Sequence, residues 1–235
     1  MNDTVCILQS NYIPWKGYFD LINDSDFFVF YDDVQYTKND WRNRNKIQSA
    51  GGLSWLTVPT GSDISRLVCE VELNDSWWQQ KHWRTLLQCY QRAPHFTTYR
   101  DFFEDFYLGK TWSSLSDMNQ YLIRYVASNF LGARTTFKDS RDYPCVGQKQ
   151  IRLLGLLDAL SAKRYISGPA AKSYIDPLCF NTAGIELVWK DYSGYPEYPQ
   201  RFTPFEHGVS ILDLLFNVGP DAPWYIWGWR EGPLT

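Results

Sequence analysis

Several features are scarce in these 235 residues, and each scarcity narrows the field. Basic residues are not in excess: 23 Lys and Arg stand against 26 Asp and Glu, for a formal charge of -3. A nucleic-acid binder presents a basic face or stripe, so no nucleic-acid partner is expected, although a local basic pocket remains open. No apolar run approaches the ~20 residues that a membrane-crossing helix needs, so no membrane span is expected. The opening Met1-Asn2-Asp3-Thr4 lacks the basic start and apolar stretch of a secretory signal, and the expected location is the cytoplasm. The cysteines Cys6, Cys69, Cys89, Cys145 and Cys179 are odd in number and form no CxxC pair. That pattern points to reduced, buried thiols rather than a disulfide framework or a zinc site, and no metal ligand is assigned. The motifs GxGxxG, GxxxxGK[ST] and HExxH and the serine nucleophile elbow are all missing, which leaves a P-loop ATPase, a zinc hydrolase and a serine hydrolase without support.

What the chain does have is aromatic and apolar weight. Apolar residues make up 44% of it, enough for a sizeable core in one domain spanning residues 1–235. Phe, Trp and Tyr make up 17%, which suits a packed core, a homo-oligomer interface, or stacking on the face of a sugar or base. Residues 5–8 predict a buried strand, 17–22 the opening of a helix, and 27–31 a second strand. That order is a βαβ unit, so the expected fold is α/β: a mainly parallel, Rossmann-like sheet flanked by helices, with a helical second half. Further strands are expected at 53–59, 67–73, 164–166 and 185–189. Helices are expected at 77–92, 101–107, 116–131, 148–160, 172–175 and 210–216. The Trp- and Pro-rich tail, 220–235, is expected to pack as an extended arm.

Chemistry is expected where the first two strands end, because ligands of open parallel sheets collect at the carboxyl ends of strands. Gln9 and Asn11 leave the first strand, and Asp32 and Asp33 the second. They suit one shared pocket, and equally suit ordinary turns. A paired carboxylate suits Mg²⁺ or a general base, but neighbours on a strand point to opposite faces, so the two are not expected to share one role. The densest polar run is 39–46. Alternation puts Arg42, Arg44 and Lys46 on one side of an extended segment and Asn43 and Asn45 on the other. Guanidinium pairs grip phosphate and amides fix sugar hydroxyls, while a solvated charged loop would look alike. His82 falls on or beside the apolar stripe of the 77–92 helix. It is either a satisfied core histidine or a proton carrier. Ser167 and Gly168 follow a short strand, where a turn into a helix offers backbone N–H groups to an anion.

The run LQSNYIPWKGYFDLI at 8–22 resembles the opening signature of the WbqC-like family. The resemblance continues through YDDVQY at 31–36, WRNRN at 41–45, WLTVP at 55–59, Lys81-His82, Tyr90 with Ala93-Pro94, YISG at 165–168 and SILDLLFN at 210–217. Ser10 stands where that pattern leads one to expect proline, and the tail after Asn217 lies outside the resemblance. The family is linked to O-antigen and related surface-polysaccharide (lipopolysaccharide) biosynthesis. The resemblance therefore implies a transferase that passes an acyl or aminoacyl group to the amine of a nucleotide-sugar, with acyl-CoA or another acyl donor as co-substrate. On this reading Arg42 and Arg44 hold the diphosphate, while Gln9, Asn43 and Asn45 orient the sugar. Asp33 or His82 accepts the proton, and Ser167 and Gly168 face an anion. A weaker likeness, in the order strand, Pro-x-x-Gly, helix, strand and late Ile-Ser-Gly loop, is to the HIGH-motif nucleotidyltransferases. Tyr18 replaces their second histidine, so their mechanism is not expected here. A nucleotidyltransferase-like enzyme with Mg²⁺ at Asp32 and Asp33, and a non-catalytic glycan- or nucleotide-binding scaffold, are the alternatives.

Overall fold

The computed structural model describes residues 3–234. Met1 and Asn2, part of the opening segment, and Thr235, the end of the tail, lie outside the described residues. Strand β1 (Thr4–Leu8), helix α1 (Lys16–Asn23) and strand β2 (Phe27–Phe30) form the expected unit, with Val5 opposite Phe27 in a parallel pair. Three later strands join them: β5 (Thr136–Asp139), β6 (Arg164–Ser167) and β7 (Glu186–Trp189). The order across the sheet is β5-β2-β1-β6-β7, and every neighbour is parallel. Strand order therefore reverses between β1 and β6, and the carboxyl ends at such a reversal open a crevice.

Period-two alternation sorts the strand side chains onto the two faces. Cys6, Phe28 and Phe30 enter the larger core, and Val5, Ile7 and Val29 the smaller one. Helix α5 (Lys149–Ala159) and helix α6 (Pro177–Thr182) cover the smaller core with Leu153, Leu156, Leu157 and Phe180. The larger core holds α1 together with α2 (Trp77–Tyr90), α3 (Phe96–Glu104), α4 (Leu115–Tyr125) and α7 (Ile211–Val218). Helices on both faces explain why β1 and β2 are apolar throughout. None of the helices among the described residues is long and apolar enough to cross a membrane.

Four expectations change. Residues 53–59 do not extend the main sheet: β4 (Gly52–Thr57) pairs antiparallel with β3 (Arg44–Ser49) as a separate hairpin. Residues 67–73 alternate but are not a strand. The N–H groups of Val68 and Cys69 donate to the carbonyls of Val34 and Asp32 at 2.9 and 2.8 Å, and a 3₁₀ turn spans Val68–Glu70. The exit of β2 thus claims the bonds a strand would have offered a neighbour. Residues 172–175 lie at the end of a 3₁₀ turn, Pro169–Ser173, rather than in a helix of their own. The tail is helical at α8 (Ala222–Ile226), where Ala222 and Ile226 bury themselves in the larger core.

The long connection from β7 to α7 folds back over α1. Tyr195 and Tyr198 are buried there, and their rings lie 4.9 and 5.3 Å from the Lys16 Nζ. Asp20 of α1 is fully buried. Lys190 reaches it at 2.8 Å, two guanidinium nitrogens of Arg230 at 2.9 and 2.6 Å, and the Tyr195 hydroxyl also donates to it. A buried carboxylate needs such partners, since leaving it unpaired costs several kcal/mol.

Candidate functional site

The loop leaving β1 is held from below. Asp32 is fully buried and accepts the Ser10 N–H at 2.7 Å, the Ser116 hydroxyl at 2.5 Å and the Gln120 amide at 3.2 Å. Ile13 has φ 37, a strained value for a β-branched residue that persists only when its surroundings fix it. Asn45 does the fixing: its amide donates to the carbonyls of Tyr12 and Ile13 at 3.2 and 2.9 Å. Asn43 is likewise buried and donates to the Val58 carbonyl at 2.9 Å. Trp15 folds back over Gly17, where a Cβ would stand 2.3 Å from the indole, so only glycine admits this pose.

Arg42 and Arg44 part company. Arg42 lies in the turn before β3, pairs with Asp40 at 2.9 Å and donates to the Gln9 side-chain oxygen. Arg44 stands on the outer face of the hairpin with its guanidinium 4.3 Å from the centre of the Trp55 ring, and the Lys46 Nζ lies 5.4 Å from the same ring. Trp41 leans on Trp55 at 5.6 Å, and both are exposed. Among the described residues no carboxylate pairs with Arg44 or Lys46. Buried side-chain atoms without a protein partner gather around the same segment: Ser10 Oγ, Asn11 Oδ1, Arg42 Nε, Asn43 Oδ1, Arg44 Nε and Asn119 Oδ1. Folded proteins leave few such atoms, so their concentration singles out this region.

Two cavities open beside the β1 exit. One, of about 300 Å³, is walled by Asn11, Pro14, Trp15, Trp41, Asn45 and Gly208. The other, of about 320 Å³, lies under the start of α5, with Leu8, Gln9, Tyr31, Lys149, Leu153 and Tyr174 in its lining. Gln9 and Asn11 are two residues apart, a backbone span of at most about 7 Å. Larger hollows exist elsewhere on the surface, among them one of about 480 Å³ edged by Glu70, Glu72 and Asp117. None of them lies on the strand reversal.

The remaining predicted residues are placed as follows. Asp33 accepts the Ser140 hydroxyl at 2.6 Å and pairs with Arg152 of α5. Its neighbours Tyr31 and Val34 line the cavity under α5. Asp32 and Asp33, in the loop just past β2, thus have separate partners, and no cluster of three His, Cys, Asp or Glu suited to a metal occurs among the described residues. His82 is buried in α2, and its Nδ1 lies 2.8 Å from the Tyr12 hydroxyl, which also meets the Tyr107 hydroxyl at 2.7 Å. Burial pulls the imidazole down to about 4. His82 lines neither cavity. Ser167 ends β6, beside β1, with its carbonyl bonded to the Lys190 N–H at 2.8 Å. The turn after Gly168 begins with Pro169, which has no N–H to offer.

Sequence reasoning passed over Trp15, Trp41, Tyr31, Tyr174 and Lys149 as lining residues. Trp15 and Trp41 stand inside the quoted signature runs, a usable signal. Nothing in the spacing of the polar stretch around Lys149 marks it.

The comparisons with known proteins agree with one another. The chain is 44% identical over 224 residues to the uncharacterized protein Rv1507c of Mycobacterium tuberculosis (strain ATCC 25618 / H37Rv), a match covering 94% of this chain and 96% of that protein. No solved structure matches it. The sequence pattern of the WbqC-like protein family matches residues 9–225, so the likeness runs past Asn217 and takes in α8, further than the signature runs alone reach. From the glutamine that leaves β1 to the helix that closes on α1, this chain belongs to the WbqC-like protein family.

Proposed function

We propose that this protein is a transferase that moves an acyl or aminoacyl group onto the amine of a nucleotide-linked amino sugar, in the making of a surface polysaccharide such as O-antigen. The observation that carries this reading is the pair of cavities on either side of Gln9 and Asn11 at the strand reversal. A transferase gains most of its rate from holding two reactants side by side, and two chambers lined by residues only two apart on one backbone suit that task.

The sugar nucleotide belongs in the Trp15–Trp41 cavity, where indole faces suit a sugar or base. Arg44 and Lys46, without a carboxylate partner among the described residues and stacked on the Trp55 ring that Trp41 leans against, take the diphosphate. Arg42 orients Gln9 from the same side, and Asn11 and Asn45 meet sugar hydroxyls. The amine attacks the carbonyl carbon of an acyl thioester. A C–N bond forms, the C–S bond breaks, the amine proton passes to a base and the sulfur leaves as thiolate. Asp33 is the base we retain: it lines neither cavity itself, but Val34 beside it lines the second, and Arg152 and Ser140 hold its carboxylate in place. His82, neutral at pH 7 and behind Tyr12, serves as a positioning residue for the loop. Ser167 and Gly168 edge the reversal from the β6 side.

The test mixes the protein with a UDP-linked amino sugar and a panel of thioesters, and follows thiol release and sugar mass. Transfer that falls at least tenfold in Arg44→Ala supports the reading. Pyrophosphate release from a nucleotide with Mg²⁺ would favour nucleotidyl transfer. Tight binding without any turnover would leave a scaffold.

A further inference from the structure

We infer that the cavity under α5 is the pocket of an aliphatic acyl group, which selects an acyl over an aminoacyl donor. The inference rests on the two-substrate reading above and adds the donor's class.

The chemistry of the lining is one-sided. Its walls are Ile7, Leu8, Val34, Leu153 and Ile175, with tyrosine rings beside them. The polar groups are Gln9, Gln150 and Lys149. Both amide oxygens are already occupied: Gln9 Oε1 accepts from Arg42, and Gln150 Oε1 accepts the Asp176 N–H at 2.6 Å. Among the described residues neither amide N–H₂ has a protein acceptor, and Lys149 has no carboxylate partner. No Asp or Glu lines the cavity. The rim therefore carries free donors and a cation but no anion, and its open acceptors are neutral oxygens. A nucleobase edge needs donors and acceptors in a fixed pattern, and an aminoacyl ammonium needs an anion and distance from a cation such as Lys149. A plain acyl group needs neither, because its carbonyl only accepts and its chain only fills apolar space. Lys149 supplies positive charge for a carboxylate or a phosphate at the donor's polar end.

The experiment uses the full chain and calorimetry with acetate, butanoate and hexanoate as probes, against 2-aminohexanoate. Affinity should rise about fourfold per methylene, the equivalent of about 0.8 kcal/mol. Hexanoate should bind at least tenfold more tightly than 2-aminohexanoate. Val34→Trp should abolish the chain-length series. Should that variant fail to fold, Lys149→Gln should weaken all three carboxylates by the same factor and leave the series intact. A flat series, preference for 2-aminohexanoate, or a series untouched by Val34→Trp overturns the inference. Binding of a UDP-linked amino sugar, measured in parallel, separates the two claims. A flat series with the sugar nucleotide still bound removes the acyl pocket alone. A normal series with no sugar nucleotide bound removes the transferase reading and leaves the acyl pocket standing.

Discussion

The floor of the β1 exit and the outer face of the β3–β4 hairpin both carry polar side chains but treat them in opposite ways. On the floor, Asp32 and the amides of Asn43 and Asn45 are buried and bonded to backbone or neighbouring side chains. On the hairpin, Arg44 and Lys46 lie over Trp55 with no carboxylate opposite. One residue of register separates the two behaviours, since Arg44 and Asn45 are neighbours on one strand. On the proposed reading the floor is a stability element and the hairpin face a binding element, although Asn43, Arg44, Asn45 and Lys46 lie in one polar stretch of sequence. Substitutions can break or sharpen this division.

The largest effect belongs to Asp32→Ala. It strands the Ser10 N–H and the Ser116 hydroxyl, leaves the Gln120 amide only Asp139 and Ser116, and should cost about 3 kcal/mol or more in urea denaturation. Unchanged stability with lost ligand binding would move Asp32 to the binding side. Asn45→Ala should cost about 2 kcal/mol and also weaken sugar-nucleotide binding, because Ile13 loses its restraint and the cavity its wall. The folded His82 imidazole titrates near 4, below the ~6.5 of an unfolded chain. The unfolded state therefore binds the proton first, and stability falls as pH drops from 6.5 towards 4. Between pH 7 and pH 5 the loss due to His82 should be about 2 kcal/mol, and His82→Gln should remove that part of the pH dependence. Smallest on stability is Trp41→Ala on the exposed face, within about 0.5 kcal/mol. Calorimetry should nonetheless show its sugar-nucleotide affinity down about tenfold. A Trp41 variant that unfolds would erase the distinction.

How far the residues themselves announce this arrangement varies with the physics involved. The β1-α1-β2 unit is legible because apolar runs, breakers and a helical face occur in order. Strand β3 is hidden, since Arg, Asn and Lys are poor strand formers and only the buried Asn43–Asn45–Ile47 alternation betrays it. Strand β5, only Thr136–Asp139, passes unnoticed because two Phe-bearing strand edges meet there through Phe137 and Phe30 rather than through a long apolar run. The convergence of Gln9 with Arg42 is anticipated by the sequence pattern, whereas the separation of Arg42 from Arg44 depends on where the turn ends and the strand begins. The cavity under α5 joins residues from 7 to 175, a juxtaposition set by the order of strands in the sheet and invisible to local spacing.

The clasp of Arg230 on Asp20 ties the order of synthesis to the order of folding. Helix α1 leaves the ribosome early, yet the charge it buries waits first for Lys190 and then for Arg230, encoded 210 residues after it. Domains that settle from the amino terminus onward fold as they emerge, whereas here the first crossover reaches its final electrostatic balance only after translation has passed residue 230. A nascent chain halted near Asn217 would hold every strand of the sheet and the Lys190 partner of Asp20, yet lack the two-pronged guanidinium grip that completes the clasp.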